Sequence, residues 1–170
     1  MTDLTSYFRP SHYDARMDSN RTFFITTVTW QRRPIFRDEF KARSLLEVFF
    51  HYRQQGKFLL HEFVIMPDHL HLLITPALSF SLERAVQFIK GGYSYRLGKT
   101  CKIPVWQQSF TNHRVRDAED FAKHRVYIQF NPVRAGLVER PEDYPYSSLN
   151  FRAQLDELPH GLDPRMEVSA

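Results

Sequence analysis

The sequence predicts an α+β domain built on a central antiparallel sheet, and three observations lead to that fold class. Segments rich in β-branched and aromatic residues alternate along the chain with segments whose apolar residues recur at helical spacing. Two of the predicted strands, 57–66 and 69–75, are separated only by Pro67 and Asp68, so they must be antiparallel neighbours. The 170 residues, of which 42% are hydrophobic, are enough to bury one core and favour a single domain.

Before those two strands, the chain forms a strand and a helix. Residues 22–30 are mostly β-branched and aromatic, which favours a first strand. Asp38 then offers a side-chain cap for a helix, and apolar residues at helical spacing continue through 40–53. Gly56 ends this helix, because glycine adopts the left-handed conformation that is common just after a helix C-terminus.

After them come a second helix, a fourth strand and a third helix. Ser79 or Ser81 begins the second helix, which carries one apolar stripe. Residues 105–116 predict the fourth strand. Asp117 caps the third helix, which we expect to end before Pro132 because proline interrupts helical hydrogen bonding. The first six elements form a ferredoxin-like split βαβ arrangement with two helices packed on one face, and a C-terminal helix follows.

The predicted domain spans residues 21–150, between an N-terminal arm of residues 1–20 and a polar C-terminal tail of residues 151–170. The formal net charge of +4 allows binding to a polyanion without requiring it. Cys101 is the only cysteine, which excludes a disulfide framework and a four-cysteine zinc site. The sequence has neither a signal-peptide pattern nor an apolar run of about 20 residues, so we expect a cytoplasmic protein with no membrane partner.

The segment His69-Leu-His71 opens the third predicted strand and is the first candidate for chemistry. Side chains alternate along a strand, so His69, His71 and Leu73 share one face, while Leu70 and Leu72 take the other. Two imidazoles on one face can converge on a single transition-metal ion. A pair of partly exposed histidines without an ion has the same pattern, so a metal site requires a third ligand and a reacting group nearby.

The third predicted helix supplies those groups. Tyr127 and Asn131 are four residues apart, so they lie on one face of the helix, and His124 joins that face. A tyrosine phenol, with an ordinary pKa of about 10, is a weak nucleophile unless it is activated or directed at a polarised centre. A metal held by two histidines and an amide oxygen could polarise a phosphodiester for attack by the phenol. The alternative is that the tyrosine is an ordinary core or surface residue.

These residues belong to segments that resemble a known family, the single-tyrosine HUH transposases, whose name abbreviates histidine, hydrophobe, histidine. Within that family, the segments are most similar to the REP-associated tyrosine transposases. They occur in the family's order and run from about residue 22 to residue 148, which is most of the chain. The matching segments are Phe63-Val-Ile-Met-Pro-Asp-His-Leu-His-Leu-Leu73, Val105-Trp-Gln-Gln-Ser-Phe110, Arg116-Asp-Ala-Glu-Asp120, Tyr127-Ile-Gln-Phe-Asn-Pro-Val-Arg-Ala-Gly-Leu-Val138 and Tyr144-Pro-Tyr-Ser-Ser148.

The resemblance implies that Tyr127 is the nucleophile and that His69, His71 and Asn131 form the metal site. It implies Mg²⁺ or Mn²⁺ as the cofactor, of which Mn²⁺ is better suited to histidine ligands. The implied substrate is single-stranded DNA with an imperfect hairpin, which is cut and rejoined through a covalent 5′-phosphotyrosine without ATP. The alternative functions are a hairpin-binding protein of the same fold with little or no turnover, and a metal phosphodiesterase that uses activated water.

Three basic residues are candidates for DNA contacts. Arg114 and Arg116 lie at the end of the fourth predicted strand, just before the tyrosine helix, where they could hold phosphates near the site. Lys90, beside the Gly91-Gly92 pair of the second helix, is the third candidate. The ordinary alternative for each is a solvated surface charge. The sequence leaves both a monomer and a homodimer open.

Overall fold

The segments with strand and helix patterns form those elements in the folded chain. The computed structural model describes residues 19–98, 102–159 and 161–162, so most of the predicted N-terminal arm and the end of the predicted tail lie outside the described residues. In this part of the chain, no helix is both long and apolar enough to cross a bilayer. The regular elements of the described chain are β1 (Phe23–Val28), α1 (Glu39–Gln54), β2 (Phe58–Ile65), β3 (His69–Pro76), α2 (Leu82–Leu97), β4 (Thr111–Arg114) and α3 (Ala118–Arg134).

Each of these helices begins at a predicted cap. The Asp38 side chain accepts a hydrogen bond from the Lys41 amide at the start of α1. Ser81 caps α2 and Asp117 caps α3 in the same way. Such a cap typically contributes about 1 kcal/mol. Gly56 follows α1 with a φ of 68°, as expected of a residue that ends a helix.

The strands form one antiparallel sheet in the order β2-β3-β1-β4, which confirms the predicted α+β class and ferredoxin-like arrangement. β1 and β3 are the central pair. Their register sets Thr26 opposite His71 and Val28 opposite His69. The predicted histidine pair therefore lies on a central strand of the sheet, opposite the last residues of β1.

Different helices cover the two faces of the sheet. α1 and α2 pack against Leu70 and Leu72 of β3 in the main core, as the predicted alternation requires. α3 packs on the opposite face, where its Ile128 joins Leu73 in a smaller core. Because side chains alternate along a strand, His71 faces α3.

Two predicted boundaries are wrong. The fourth strand covers only Thr111–Arg114 and not 105–116. Trp106 is buried in the main core and pairs with the sheet only through an isolated bridge to Thr29. The chain before β4 is therefore irregular, because the burial of Trp106 takes it out of register with β1. α3 continues for two residues past Pro132, because a proline in the last turn removes one backbone hydrogen bond without interrupting a longer ladder.

Residues 144–156, which we call the edge segment, cover the outer edge of β2. The Ile65 amide donates to the Tyr146 carbonyl at 2.9 Å. Further along, the Leu60 amide donates to the Asp156 carboxylate, and the Asp156 amide donates to the Leu60 carbonyl, both at 2.8 Å. An open edge strand presents unpaired backbone groups that can pair with another chain, and these bonds satisfy several of them.

Asp156 also neutralises the buried charge of Arg53 in the last turn of α1. Arg53 Nε and Nη2 donate to the two carboxylate oxygens at 2.9 and 2.8 Å. The two side chains are only 0% and 6% exposed. The edge segment is therefore joined to α1 and β2 through one carboxylate.

Gly92 allows α2 to approach α1 closely. A Cβ atom at Gly92 would lie 2.4 Å from the Tyr52 ring, whereas the nearest neighbour of a Cβ at Gly91 would be 3.9 Å away. Gly91→Ala is expected to raise the free energy of unfolding by about 1 kcal/mol through helix propensity. Gly92→Ala gains the same propensity but overpacks the helix contact at a cost of about 1–3 kcal/mol. Urea unfolding should therefore find Gly92→Ala the less stable variant, and equal stability would contradict the contact.

Candidate active site

His69 and His71 lie at the start of β3, with ring centroids 4.9 Å apart. A neighbouring side chain contacts Nδ1 of each ring. Asp68 Oδ1 lies 2.6 Å from Nδ1 of His69, and Thr26 Oγ1 lies 2.7 Å from Nδ1 of His71. Hydrogen bonds at Nδ1 orient both rings and leave Nε2 of each ring to a ligand.

The Nε2 atom of His71 is buried and has no hydrogen-bond partner in the described structure. Burial lowers the pKa of His71 to about 3, with a smaller contribution from His69, so the ring is neutral near pH 7. Neutral imidazole is the form that binds metals, and a buried polar atom without a partner costs about 1–3 kcal/mol. The residues present therefore fit a divalent cation at the Nε2 atoms of the pair.

Asp68 is itself held by Arg32, from the loop after β1. Gln31 and Arg32 have positive φ values of 54° and 51°, and Arg32 Nη1 lies 3.3 Å from Asp68 Oδ2. Burial opposes ionisation of Asp68, but the hydrogen bond from His69 and the charge of Arg32 outweigh it and lower the pKa of Asp68. The ionised carboxylate then holds His69 by a charge-assisted hydrogen bond.

Tyr127 of α3 meets the histidine pair on this face of the sheet. Its ring centroid lies 5.2 Å from that of His71, with the planes 73° apart, and the residue is 38% exposed. Phe24 of β1 contacts both rings, at 5.9 Å from Tyr127 and 5.4 Å from His71. The Arg134 guanidinium lies 5.4 Å from the Tyr127 ring, and both residues line an open pocket of about 590 Å³. The phenol is thus accessible while its ring is anchored beside His71.

Three other predicted site residues lie on α3 or immediately before it. Asn131 is one turn beyond Tyr127 on the same face of α3 and is half-buried. Arg114 ends β4, and Arg116 lies in the turn to α3; both are exposed. Arg116 Nε lies 3.4 Å from the carboxylate of Asp120.

Lys90 is not brought to the site. It lies on α2, which packs on the opposite face of the sheet. Its ammonium donates to the carbonyls of Gln107 and Gln108 at 2.6 and 3.2 Å, and burial lowers the pKa of Lys90. These hydrogen bonds connect α2 to the irregular segment that precedes β4.

The residues that support the histidine pair carry little signal in the sequence. Thr26 and Phe24 lie on β1, and nothing local indicates which residues of β1 face His71 before the register is known. Asp68 is different, because it directly precedes His69. That adjacency is the signal from which its contact with the ring could be expected.

The site is thus a histidine pair on a central strand that faces a tyrosine on the adjacent helix α3. Residues 19–131 match the family described as Transposase IS200 like. The chain therefore belongs to the IS200-like transposase family, which confirms the resemblance found in the sequence.

The relatives are REP-associated tyrosine transposases. The chain is 31% identical over 118 residues to a candidate REP-associated tyrosine transposase of Haemophilus influenzae, over 61% of this chain and 67% of that protein. It is 24% identical over 145 residues to the REP-associated tyrosine transposase of Escherichia coli, over 79% of this chain and 84% of that protein. A solved structure of a REP-associated tyrosine transposase bound to a REP hairpin has the same fold, with a TM-score of 0.64 and 23% identity, over 90% of this chain and 92% of that one. The family and these relatives support a transposase-type enzyme.

Proposed function

We propose that the chain is a metal-dependent endonuclease and strand transferase that cuts and rejoins single-stranded DNA at hairpin sequences, with Tyr127 as its nucleophile. The observation that carries this proposal is the approach of the Tyr127 ring to His71, whose Nε2 is buried and unpaired in the described structure. The relatives named REP-associated tyrosine transposases, and the related structure bound to a REP hairpin, support hairpin DNA as the substrate.

The proposed reaction is an ester exchange at phosphorus. The phenol oxygen of Tyr127 bonds to phosphorus, and the bond from phosphorus to the 3′ oxygen breaks. The phenol loses its proton, and the departing 3′ oxygen gains one to become a hydroxyl. The 5′-phosphate of the cut DNA stays on Tyr127 as a diester. Attack by a 3′-hydroxyl reverses the exchange, and because one phosphodiester replaces another, rejoining needs no ATP.

His69, His71 and Asn131 would hold the cation. The two imidazoles offer Nε2 atoms, and Asn131 would add an amide oxygen from the tyrosine face of α3. Mg²⁺ or Mn²⁺ bound there would supply Lewis-acid polarisation of the scissile phosphate. Nitrogen ligands favour Mn²⁺ over Mg²⁺.

Guanidinium groups at the two ends of α3 would hold the DNA backbone. Arg134 lies beside the tyrosine ring, and Arg114 and Arg116 are exposed just before α3. Guanidinium binds phosphate oxygens through paired hydrogen bonds. Each such contact would increase the salt dependence of DNA binding.

A hydrolytic phosphodiesterase has less support. Such an enzyme requires further carboxylates at the metal, and the two that lie near the pair in sequence are already engaged in other contacts. Asp68 contacts His69 and Arg32, and Glu62 accepts a hydrogen bond from Gln129 Nε2 at 2.7 Å. Burial also raises the pKa of Glu62, which disfavours the ionised form that binds metals.

Formation of a covalent adduct tests the proposal. Labelled single-stranded hairpin DNA is incubated with the protein and Mn²⁺ or Mg²⁺, and the products are separated on a denaturing gel. We expect a protein–DNA adduct that survives denaturation, together with a strand that ends in a free 3′-hydroxyl. Tight binding without adduct or cut strand, across several hairpins and both metals, would instead support a hairpin-binding protein without turnover.

Thr26→Val is expected to raise the Mn²⁺ concentration that half-saturates adduct formation by about 10- to 100-fold. The change removes the hydroxyl that contacts Nδ1 of His71 but keeps the side-chain volume. Thr111→Val, at an exposed position of β4, is the matched control and should leave that concentration unchanged. The role of Thr26 is wrong if both variants behave like the wild type.

A further inference from the structure

A second cluster of metal-binding side chains lies near the histidine pair. His113 of β4 and His124 of α3 both direct Nε2 at the carboxylate of Asp120 on α3. His113 Nε2 lies 2.8 Å from Oδ2, and His124 Nε2 lies 3.4 Å from Oδ1. The imidazole centroids are 4.9 Å apart, and the ligand atoms of the three residues all lie within 4.8 Å of one another.

The three side chains lie close enough together to share one transition-metal ion. Nitrogen and oxygen ligands lie about 2.0–2.2 Å from Zn²⁺, so neighbouring ligand atoms of one tetrahedral ion are about 3.3–3.6 Å apart. The distance from His124 to Asp120, 3.4 Å, falls in that range, and the distance from His113 to Asp120, 2.8 Å, is that of a hydrogen bond, which an ion between the two atoms would lengthen. Two imidazoles and one carboxylate form a ligand set suited to Zn²⁺ and its neighbours, whereas Mg²⁺ and Ca²⁺ prefer oxygen alone.

The cluster is not required to begin the helix. Asp117 already caps α3 by accepting the hydrogen bond of the Asp120 amide. The Asp120 side chain, 9% exposed, accepts from the Arg116 amide at 3.1 Å and also contacts the Arg116 side chain. That side chain is 70% exposed, so it can turn towards solvent when another cation approaches the carboxylate.

We propose that His113, Asp120 and His124 form a second cation site, which binds a divalent transition metal of the Zn²⁺ class. The site uses no atom of the catalytic pair, because its imidazoles point to Asp120. The Phe24 ring stacks on His124 at 4.4 Å and on His71 at 5.4 Å, so one side chain of β1 contacts both sites.

The site would fasten α3 to the edge of the sheet. His113 belongs to β4, which pairs with β1, and His124 lies on α3 less than one turn before Tyr127. An ion shared by these elements would resist movement of α3 away from the sheet. The bound ion would position Tyr127 and would take no part in the ester exchange.

The number of bound ions distinguishes this site from the catalytic pair. Zn²⁺ is titrated into the full chain by calorimetry, without DNA, for the wild type and for three variants. His113→Ala is expected to bind one Zn²⁺ fewer per chain than the wild type. In the His69→Ala/His71→Ala variant, one ion should still bind and raise the melting temperature. Adding His113→Ala to that variant should weaken this binding by about 100-fold or more.

His51→Ala is the matched control, because His51 is an exposed histidine on α1. It should bind as many ions as the wild type. His113→Gln serves as a second variant that can keep a hydrogen bond to Asp120 but lacks the imidazole ligand. The proposal is overturned if His113→Ala and His113→Gln bind as much Zn²⁺ as the wild type, or if removal of the catalytic pair abolishes all Zn²⁺ binding. Neither result bears on whether Tyr127 cuts DNA.

Discussion

Tyr127→Phe is expected to abolish DNA cleavage and adduct formation while hairpin binding stays nearly unchanged. The substitution removes the oxygen proposed to attack phosphorus but keeps the ring that contacts His71, Phe24 and Arg134. Loss of a catalytic nucleophile lowers the rate by a factor on the order of 10⁴ or more. A denaturing gel measures the adduct, and fluorescence anisotropy with a labelled hairpin measures binding.

Tyr95→Phe is the matched control for this experiment. Tyr95 is 90% exposed on α2, on the opposite side of the sheet from α3. This variant should form the adduct at the wild-type rate. An adduct that forms equally fast in Tyr127→Phe would mean that another residue is the nucleophile.

Asp156→Ala is expected to lower the free energy of unfolding by about 3–5 kcal/mol, more than the glycine substitutions in α2. The change leaves the Arg53 guanidinium buried without its counter-charge, and it leaves the Leu60 amide without its acceptor. Urea unfolding followed by circular dichroism measures the effect. The same experiment on Arg53→Met combined with Asp156→Leu should recover much of the loss, because no charge then remains buried.

An exposed ion pair provides the comparison for Asp156. Asp143 and Arg140 form a similar bond at 2.9 Å, but their side chains are 45% and 73% exposed. Asp143→Ala should therefore change the free energy of unfolding far less than Asp156→Ala does. If Asp156→Ala costs as little stability as Asp143→Ala, the buried pair of Arg53 and Asp156 does not stabilise the edge segment.

Much of the fold follows from local signals in the sequence. The caps at Asp38, Ser81 and Asp117 act on amides within three residues, so the helix starts need no tertiary information. The extent of β4, in contrast, depends on tertiary contacts. The segment before β4 contains residues typical of strands, but Trp106 is drawn into the core beneath α2, and only Thr111–Arg114 pair with β1 as a ladder.

The candidate site also combines features that local sequence predicts with contacts that it does not. Alternation along β3 predicts the shared face of His69 and His71, and helical spacing predicts the shared face of Tyr127 and Asn131. The contacts that complete the site are not local. Thr26 lies 45 residues before His71, and its position opposite that ring depends on the strand register.

The bonds between β2 and the edge segment have a consequence for the order in which the chain is made. Arg53 and Asp156 are 103 residues apart, so a ribosome has released β2 long before it synthesises the carboxylate that completes it. During that interval, the nascent chain presents an unprotected strand edge and a guanidinium without its partner. Translation that stops before Asp156 would leave both permanently exposed. Such truncated products would be substrates for chaperones and proteases, even though every residue of the histidine pair and the tyrosine helix is present.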